Sequence, residues 1–127
     1  TKECDVDPKF KQAYLEAEKE DGVIIRSPVG LPGRAIRNSF VEKILEGNAP
    51  KPDPKKCQGC IGSICDKSYC ILEALENARK GSLENGLIFA GSNFWRVKEI
   101  VTVKELLDEL VSEANQILKK QPLLNSI

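Results

Sequence analysis

Four of the five cysteines of this chain lie in one short stretch, CQGCIGSICDKSYC. Their spacing is C-x2-C-x4-C-x4-C. Thiolates so close in sequence can converge on one metal centre at a small cost in loop-closure entropy. The pattern therefore predicts a metal site formed by Cys57, Cys60, Cys65 and Cys70. Free thiols or disulfides in a crossover loop are the alternative.

The spacing leaves the identity of the metal open. Four cysteines are a common ligand set for structural zinc, and four thiolates also hold 4Fe–4S clusters. Zinc sites more often use two separated C-x2-C pairs, and this stretch contains a single pair, Cys57 and Cys60. Zinc and an iron–sulfur cluster therefore both remain candidates.

Composition excludes several classes of partner. The 19 basic and 19 acidic residues cancel, so net charge favours neither nucleic acid nor an anionic membrane. No apolar run approaches the roughly 18 residues of a membrane span, and the first residues have no apolar leader. An odd cysteine count without a leader favours a reducing cytoplasm. The chain has no Met, which favours a processed chain or a piece of a longer protein.

Hydrophobic periodicity predicts a mostly helical chain with one or two short strands. A strand is expected at Val23–Ile25, and a strand or a buried loop at Leu87–Ala90. The proline-rich stretch NAPKPDPKK, residues 48–56, predicts a stiff linker. Helices are expected over residues 8–20, from about 34 to 46, 69–80 and 103–119.

Capping signals set the ends of these helices. Asp7-Pro8 is typical of a helix start, and Ser68 is expected to cap the third helix, with Gly81 just past its end. Thr102-x-x-Glu105 is a capping box that opens the longest helix. The last seven residues, QPLLNSI, are expected to fray.

Two segments resemble the nitronate monooxygenase family, formerly the 2-nitropropane dioxygenases, which also includes flavin-dependent enoyl-acyl carrier protein reductases. The family has a G-x-P-x-R-x-x-x-N signature in its last strand-loop-helix region, and this chain has Gly30, Pro32, Arg34 and Asn38 there. Farther on, Ala90-Gly91 is similar to the family's A-G-Q loop, with Ser92 where many members have Gln. An E-L-x-x-E-L helix follows in both.

The resemblance implies an α/β fold, namely the C-terminal portion of a flavin-binding (β/α)8 TIM barrel with a helical cap. Residues 1–47 would hold the last βα elements of the barrel. Residues 48–70 would form the proline-rich linker and the four-cysteine loop, and residues 71–127 a C-terminal helical segment with a pocket loop. In such barrels the βα loops at the C-terminal face carry the active site.

The resemblance also implies an FMN-dependent oxidoreductase that oxidises nitronates or uses NAD(P)H to reduce enoyl substrates. Phe94 and Trp95 would flank the flavin, although aromatic residues beside a turn more often belong to the core. The expected partners are the rest of the barrel and a small-molecule substrate, and a homodimer is open. The residues expected to line the flavin are Gly30, Gly33, Arg34, Ala90, Gly91, Ser92 and Asn93.

The chain departs from the family in two ways. It has no His, the residue that usually supplies the family's catalytic base, and it lacks the main flavin-phosphate loop. No residue is therefore assigned a catalytic role, and the chain alone is not expected to catalyse a reaction. A non-enzymatic interaction domain stapled by a metal at the four cysteines is the alternative. Such a domain would fold alone and unfold when a chelator removes the metal.

Overall fold

The computed structural model describes residues 1–60 and 62–120, which divide into two compact units. The large unit is Val6–Lys98, and the small unit combines Thr1–Asp5 with the chain from Glu99 onward. Within the described residues, no helix has the length and apolar character needed to cross a membrane.

The large unit contains three α-helices and one β-hairpin, whose first strand lies where the periodicity predicts one. The helices are α1 (Pro8–Glu16), α2 (Ser39–Leu45) and α3 (Ile71–Arg79). The strands are β1 (Gly22–Arg26) and β2 (Pro32–Ile36). Single 3-10 turns lie at Lys19–Asp21, Gly62–Ile64, Leu83–Asn85 and Phe94–Arg96.

The start of α1 is as predicted, but its end is earlier. The Asp7 carboxylate accepts a hydrogen bond from the Lys9 backbone N–H at 2.8 Å, and Pro8 occupies the first turn. The helix ends at Glu16, four residues before its expected end, because Ala17 adopts an extended conformation and is buried in the core.

The segment after β1 corrects a sequence prediction. A helix was expected from about Arg34, whereas residues Pro32–Ile36 form a second strand, antiparallel to β1, with Ile24 opposite Arg34. Gly30 has a φ of 80° and closes the hairpin, a conformation that glycine adopts without steric cost. The helix α2 begins only at Ser39, after the Asn38 side chain caps it.

β2 also pairs on its other side, with the apolar run at Leu87–Ala90. Ala35 and Phe89 form an isolated antiparallel bridge. The Ile36 N–H donates to the Ile88 carbonyl at 2.9 Å, and the Ala90 N–H donates to the Arg34 carbonyl at 3.0 Å. The run is therefore a largely buried extended segment that lies along the free edge of the two-stranded sheet.

Two core clusters lie on opposite sides of β2. Successive side chains of a strand point to opposite faces, and Ala35 accordingly packs in the first cluster while Ile36 packs in the second. The first cluster consists of Ile25, Ala35, Phe40, Val41, Ala49, Tyr69, Ala74 and Leu87. The second consists of Ala17, Ile36, Ala78, Ile88 and Phe94.

The stretch before α3 corrects two further expectations. Ser68 does not cap the helix, because its N–H donates to the Asp66 carboxylate and Tyr69 is buried in the first cluster. α3 instead begins after Cys70. The proline-rich linker has no helix or strand, but it is not detached, since Ala49 packs in the first cluster. Gly81, with a φ of 84°, follows the end of α3 as predicted.

The small unit contains the longest helix, α4 (Val103–Lys120), as predicted. The capping box is confirmed: the Glu105 carboxylate accepts the Thr102 N–H at 2.7 Å, and the Thr102 hydroxyl accepts the Glu105 N–H at 3.2 Å. Glu3 adds to the cap by accepting the Val103 N–H at 3.0 Å. The expectation for residues 121–127 lies outside the described residues.

Gly86 provides a test of the packing between α3 and the extended segment. A methyl group there would lie 2.7 Å from the backbone N and Cα of Ala78, which cannot move without shifting α3. We expect Gly86→Ala to lower the free energy of unfolding by about 1–3 kcal/mol, measured by urea denaturation. Gly91→Ala is the matched control, because a methyl group at Gly91 meets nothing within 4 Å. Equal stability of the two variants would contradict this packing.

Candidate functional site

The two segments predicted to line a pocket meet at one backbone hydrogen bond. The hydrogen bond from Ala90 to Arg34 joins the end of the extended segment to the hairpin. The turn of the hairpin is closed by two backbone hydrogen bonds, from Ser27 to Leu31 at 3.0 Å and from Gly30 to Ser27 at 2.9 Å. Arg34 and Ala90 are therefore neighbours, which their separation in sequence does not reveal.

The polar groups of this region are available for a ligand. The Arg34 side chain is half-buried, and it has no ion-pair partner among the residues that the structure describes. Gly91, Ser92 and Asn93 are exposed. Arginine presents a planar fork of N–H donors that suits phosphate or carboxylate groups. We refer to Ser27–Arg34 and Ala90–Asn93 together as the hairpin site.

The glycines of the hairpin site differ in the space that surrounds them. A methyl group at Gly30 or Gly91 would meet nothing within 4 Å, so a ligand could approach the backbone at both positions. At Gly33 a methyl group would lie 2.5 Å from the Phe89 ring. The absence of a side chain at Gly33 thus makes room for the core, whatever else it does.

Ser27 is a polar residue that the sequence patterns did not single out. It is buried, and its hydroxyl has no hydrogen-bond partner among the described residues. A buried hydroxyl without a partner carries a desolvation cost of about 1–3 kcal/mol, so such a group is a candidate for contact with a bound molecule. Only its position just before the turn could have indicated it.

The two aromatic residues after this site, Phe94 and Trp95, pack in or against the core. Phe94 is buried in the second core cluster. Trp95 packs partly against that cluster, with the Lys19 ammonium 5.9 Å and the Arg96 guanidinium 5.4 Å from its ring centroid. Both aromatic side chains are thus accounted for by packing.

The four cysteines line a second, separate site. Together they border one cavity of about 390 Å³, which none of the residues of the hairpin site lines. Cys57 and Cys60 are exposed, Cys65 and Cys70 are half-buried, and all are free thiols. No three His, Cys, Asp or Glu side chains within residues 1–60 and 62–120 are grouped as a bound metal ion would require. The predicted metal site is thus not formed in this geometry, although its four residues share a cavity.

The second half of the cysteine segment is anchored to the core. Tyr69 lies against Phe40 in an edge-to-face contact, with 5.7 Å between ring centroids. The Asp66 N–H donates to the Pro28 carbonyl at 2.9 Å. Burial, together with the nearby negative charge of Asp66, raises the pKa of Tyr69 to about 12, so the phenol stays protonated at neutral pH. Cys65 and Cys70 flank these anchors.

Asn38, the last residue of the family-like signature, has a structural role. Its side-chain oxygen accepts the Val41 N–H at 2.9 Å and caps α2. Its amide nitrogen donates to the carbonyls of Leu83 and Gly86 at 3.0 and 2.9 Å. One side chain thus fixes α2 to the loop that leads into the extended segment.

Comparison with known proteins identifies the class of fold and then the family. The fold resembles FabK from Thermotoga maritima, with a TM-score of 0.66 and 20% identity over 91% of this chain and 34% of that chain. It also resembles a point mutant of the same protein, with a TM-score of 0.64 and 22% identity over 91% of this chain and 30% of that one. No curated protein sequence matches the chain.

The sequence pattern of the nitronate monooxygenase family matches residues 1–113, and the chain belongs to that family. The predicted resemblance is therefore confirmed, and the structural neighbours imply a TIM-barrel family. The chain spans about a third of the length of the FabK structures. Nothing in the comparisons supports the alternative of a metal-stapled interaction domain.

The role of Asn38 can be tested with two substitutions. Asn38→Ala removes the cap and both carbonyl contacts, and we expect the free energy of unfolding to fall by about 2–3 kcal/mol. Asn38→Ser keeps an oxygen that can cap the helix and lacks the amide donor, so its loss should be smaller. Urea denaturation of both variants measures the difference. An Asn38→Ala variant as stable as the wild type would show that the side chain does not hold α2 in place.

Proposed function

We propose that this chain forms the C-terminal part of an FMN-dependent oxidoreductase barrel and that the hairpin site contributes to its flavin pocket. The observation that carries the proposal is the pairing of two family-like pocket segments, through Arg34 and Ala90, in a chain of this family. Neither segment alone would form a pocket wall.

Several residues of the hairpin site have the chemical groups that FMN binding requires. The open backbone at Gly30 and Gly91 allows a flat ring or a phosphate to approach closely. The Arg34 guanidinium suits the phosphate, and the buried Ser27 hydroxyl has no hydrogen-bond partner within residues 1–60 and 62–120. Ala90, Ser92 and Asn93 would add small lining groups, and Gly33 would contribute its backbone.

In this proposal the residues of the chain bind the flavin and orient it. None of them transfers a proton. The bound flavin would supply the oxidation–reduction chemistry, while the protein supplies position and electrostatics. Since the chain has no His, a catalytic base of that type would come from another part of the protein. The substrate would be a nitronate, or an enoyl compound with NAD(P)H as the hydride donor.

The rest of the barrel is the partner that we propose for the small unit. No residue of α4 is buried, and its apolar side chains are exposed. An amphipathic helix gains most of its stability by packing its apolar face. The exposed apolar side chains are Val103, Leu106, Leu107, Leu110, Val111, Ile117 and Leu118. A homodimer and a cytoplasmic location stay predictions.

The gene gives the first test of the proposal. We expect the reading frame that encodes this chain to encode barrel strands, a Gly-rich phosphate turn and a His as well. A frame without barrel elements would contradict the proposed function. The protein that it encodes should contain FMN, identified by chromatography after heat release.

A pair of arginine substitutions tests the hairpin site directly. Arg34→Ala should weaken FMN binding about ten- to a hundred-fold, because hydrogen bonds to a charged group are worth about 1.5–3 kcal/mol. Arg37→Ala is the control, since Arg37 is exposed and pairs with Glu42. Fluorescence titration of the flavin-free protein gives both dissociation constants. Equal dissociation constants for the two variants would show that Arg34 does not contact FMN.

Two assays separate the candidate reactions. Oxidation of a nitronate with consumption of oxygen would indicate the monooxygenase reaction. Oxidation of NAD(P)H that depends on an enoyl thioester would indicate the reductase reaction. If the protein contains FMN and catalyses neither reaction, the flavin assignment stands and both proposed substrates are wrong.

A further inference from the structure

We propose that Cys57, Cys60, Cys65 and Cys70 ligate a 4Fe–4S cluster and that they do not form a zinc site. The proposal concerns the cysteine cavity alone and does not depend on flavin binding by the hairpin site. It rests on the size of the cavity, the turns between the cysteines and the groups around them.

The size of the cavity favours a cluster over a single ion. Its volume of about 390 Å³ is roughly ten times the 30 Å³ that one water molecule occupies in the liquid. A zinc ion holds its four sulfurs at about 2.3 Å, so they must nearly touch one another. Four irons at alternate corners of a cube each take one thiolate and hold the ligands farther apart.

The second observation is the arrangement of the four cysteine side chains. All four cysteines border the same cavity, yet no three metal-ligating side chains in the described part of the chain are grouped closely enough for one ion. The shared cavity is the observation that favours a common centre for the four thiols. Ordering the thiolates around it requires the closure of loops of only two and four residues, which costs little entropy.

Left-handed residues lie in every interval between the cysteines. Gly59 (φ 62°) lies between the first two cysteines, Gly62 (φ 58°) in the second interval and Lys67 (φ 56°) in the third. Lys67 is notable because it is the single non-glycine residue with positive φ among those the structure describes. Each such residue turns the chain, so that successive cysteines return to one cavity.

The cavity is lined by charged and by apolar side chains. Two cations, Lys56 and Lys67, line the cavity, as do the apolar side chains of Ile71 and Leu72. The carboxylates of Asp53, Glu73 and Glu76 line it as well. The charge of Glu76 is offset by ion pairs with Arg79 at 2.7 Å and Lys80 at 3.0 Å.

Cys70 is already placed as a ligand. It is the N-cap residue of α3, and its side chain makes no capping hydrogen bond, so its sulfur is not committed to the helix. The neighbouring Tyr69, buried in the first core cluster, fixes the position of this end of the segment.

The experiment uses the natural protein that contains this chain, purified without oxygen and also reconstituted with ferrous iron and sulfide. We expect about four irons and about four acid-labile sulfides per chain, with less than one zinc. Serine substitution of any one of the four cysteines should remove most of the iron and sulfide. Cys4→Ser is the matched control and should retain both, because Cys4 does not line the cavity.

Other outcomes would overturn the proposal. One tightly held zinc per chain, iron without labile sulfide, or neither metal after reconstitution would each do so. Mössbauer spectra of the wild-type protein identify the cluster even if a serine variant fails to fold. Circular dichroism shows which variants are folded. Since iron and sulfide are assayed chemically, the result is independent of whether the protein also binds flavin.

Discussion

The two-sided pairing of β2 holds the large unit together. β2 pairs with β1 along one edge and with the extended segment along the other, so both of its backbone edges are used. Its side chains alternate between the two core clusters. A two-stranded hairpin is marginal by itself, and the third segment together with two packed faces supplies what it lacks. The hairpin site depends on this same pairing.

Local signals in the sequence predicted the parts of the fold that depend on neighbouring residues. The cap at Asp7, the capping box at Thr102 and Glu105 and the glycine after α3 all involve partners a few residues apart. The periodicity of α4 was likewise sufficient to place it within one residue at its end. Such interactions are independent of the rest of the chain.

The errors arose where a distant partner decides the conformation. Residues 34–36 were expected to be helical, but β1 and the extended segment offer hydrogen bonds on both sides of them. Ser68 could have capped α3 by its residue type, but the burial of Tyr69 sets where the helix begins. The hairpin site was predicted only through family resemblance, since the contact between Arg34 and Ala90 has no local signal. Ser27 was missed for the same reason.

The hydrogen bond from Asp66 to the Pro28 carbonyl connects the cysteine segment to the turn of the hairpin. Pro28 is fully buried and lies two residues before Gly30, so it cannot shift without moving that turn. A ligand that ordered the segment and a ligand held at the turn would act on one backbone contact. Coupling free energies are reciprocal, so each ligand would change the affinity for the other by the same factor. If both proposed ligands bind, this hydrogen bond would link the two sites through the backbone.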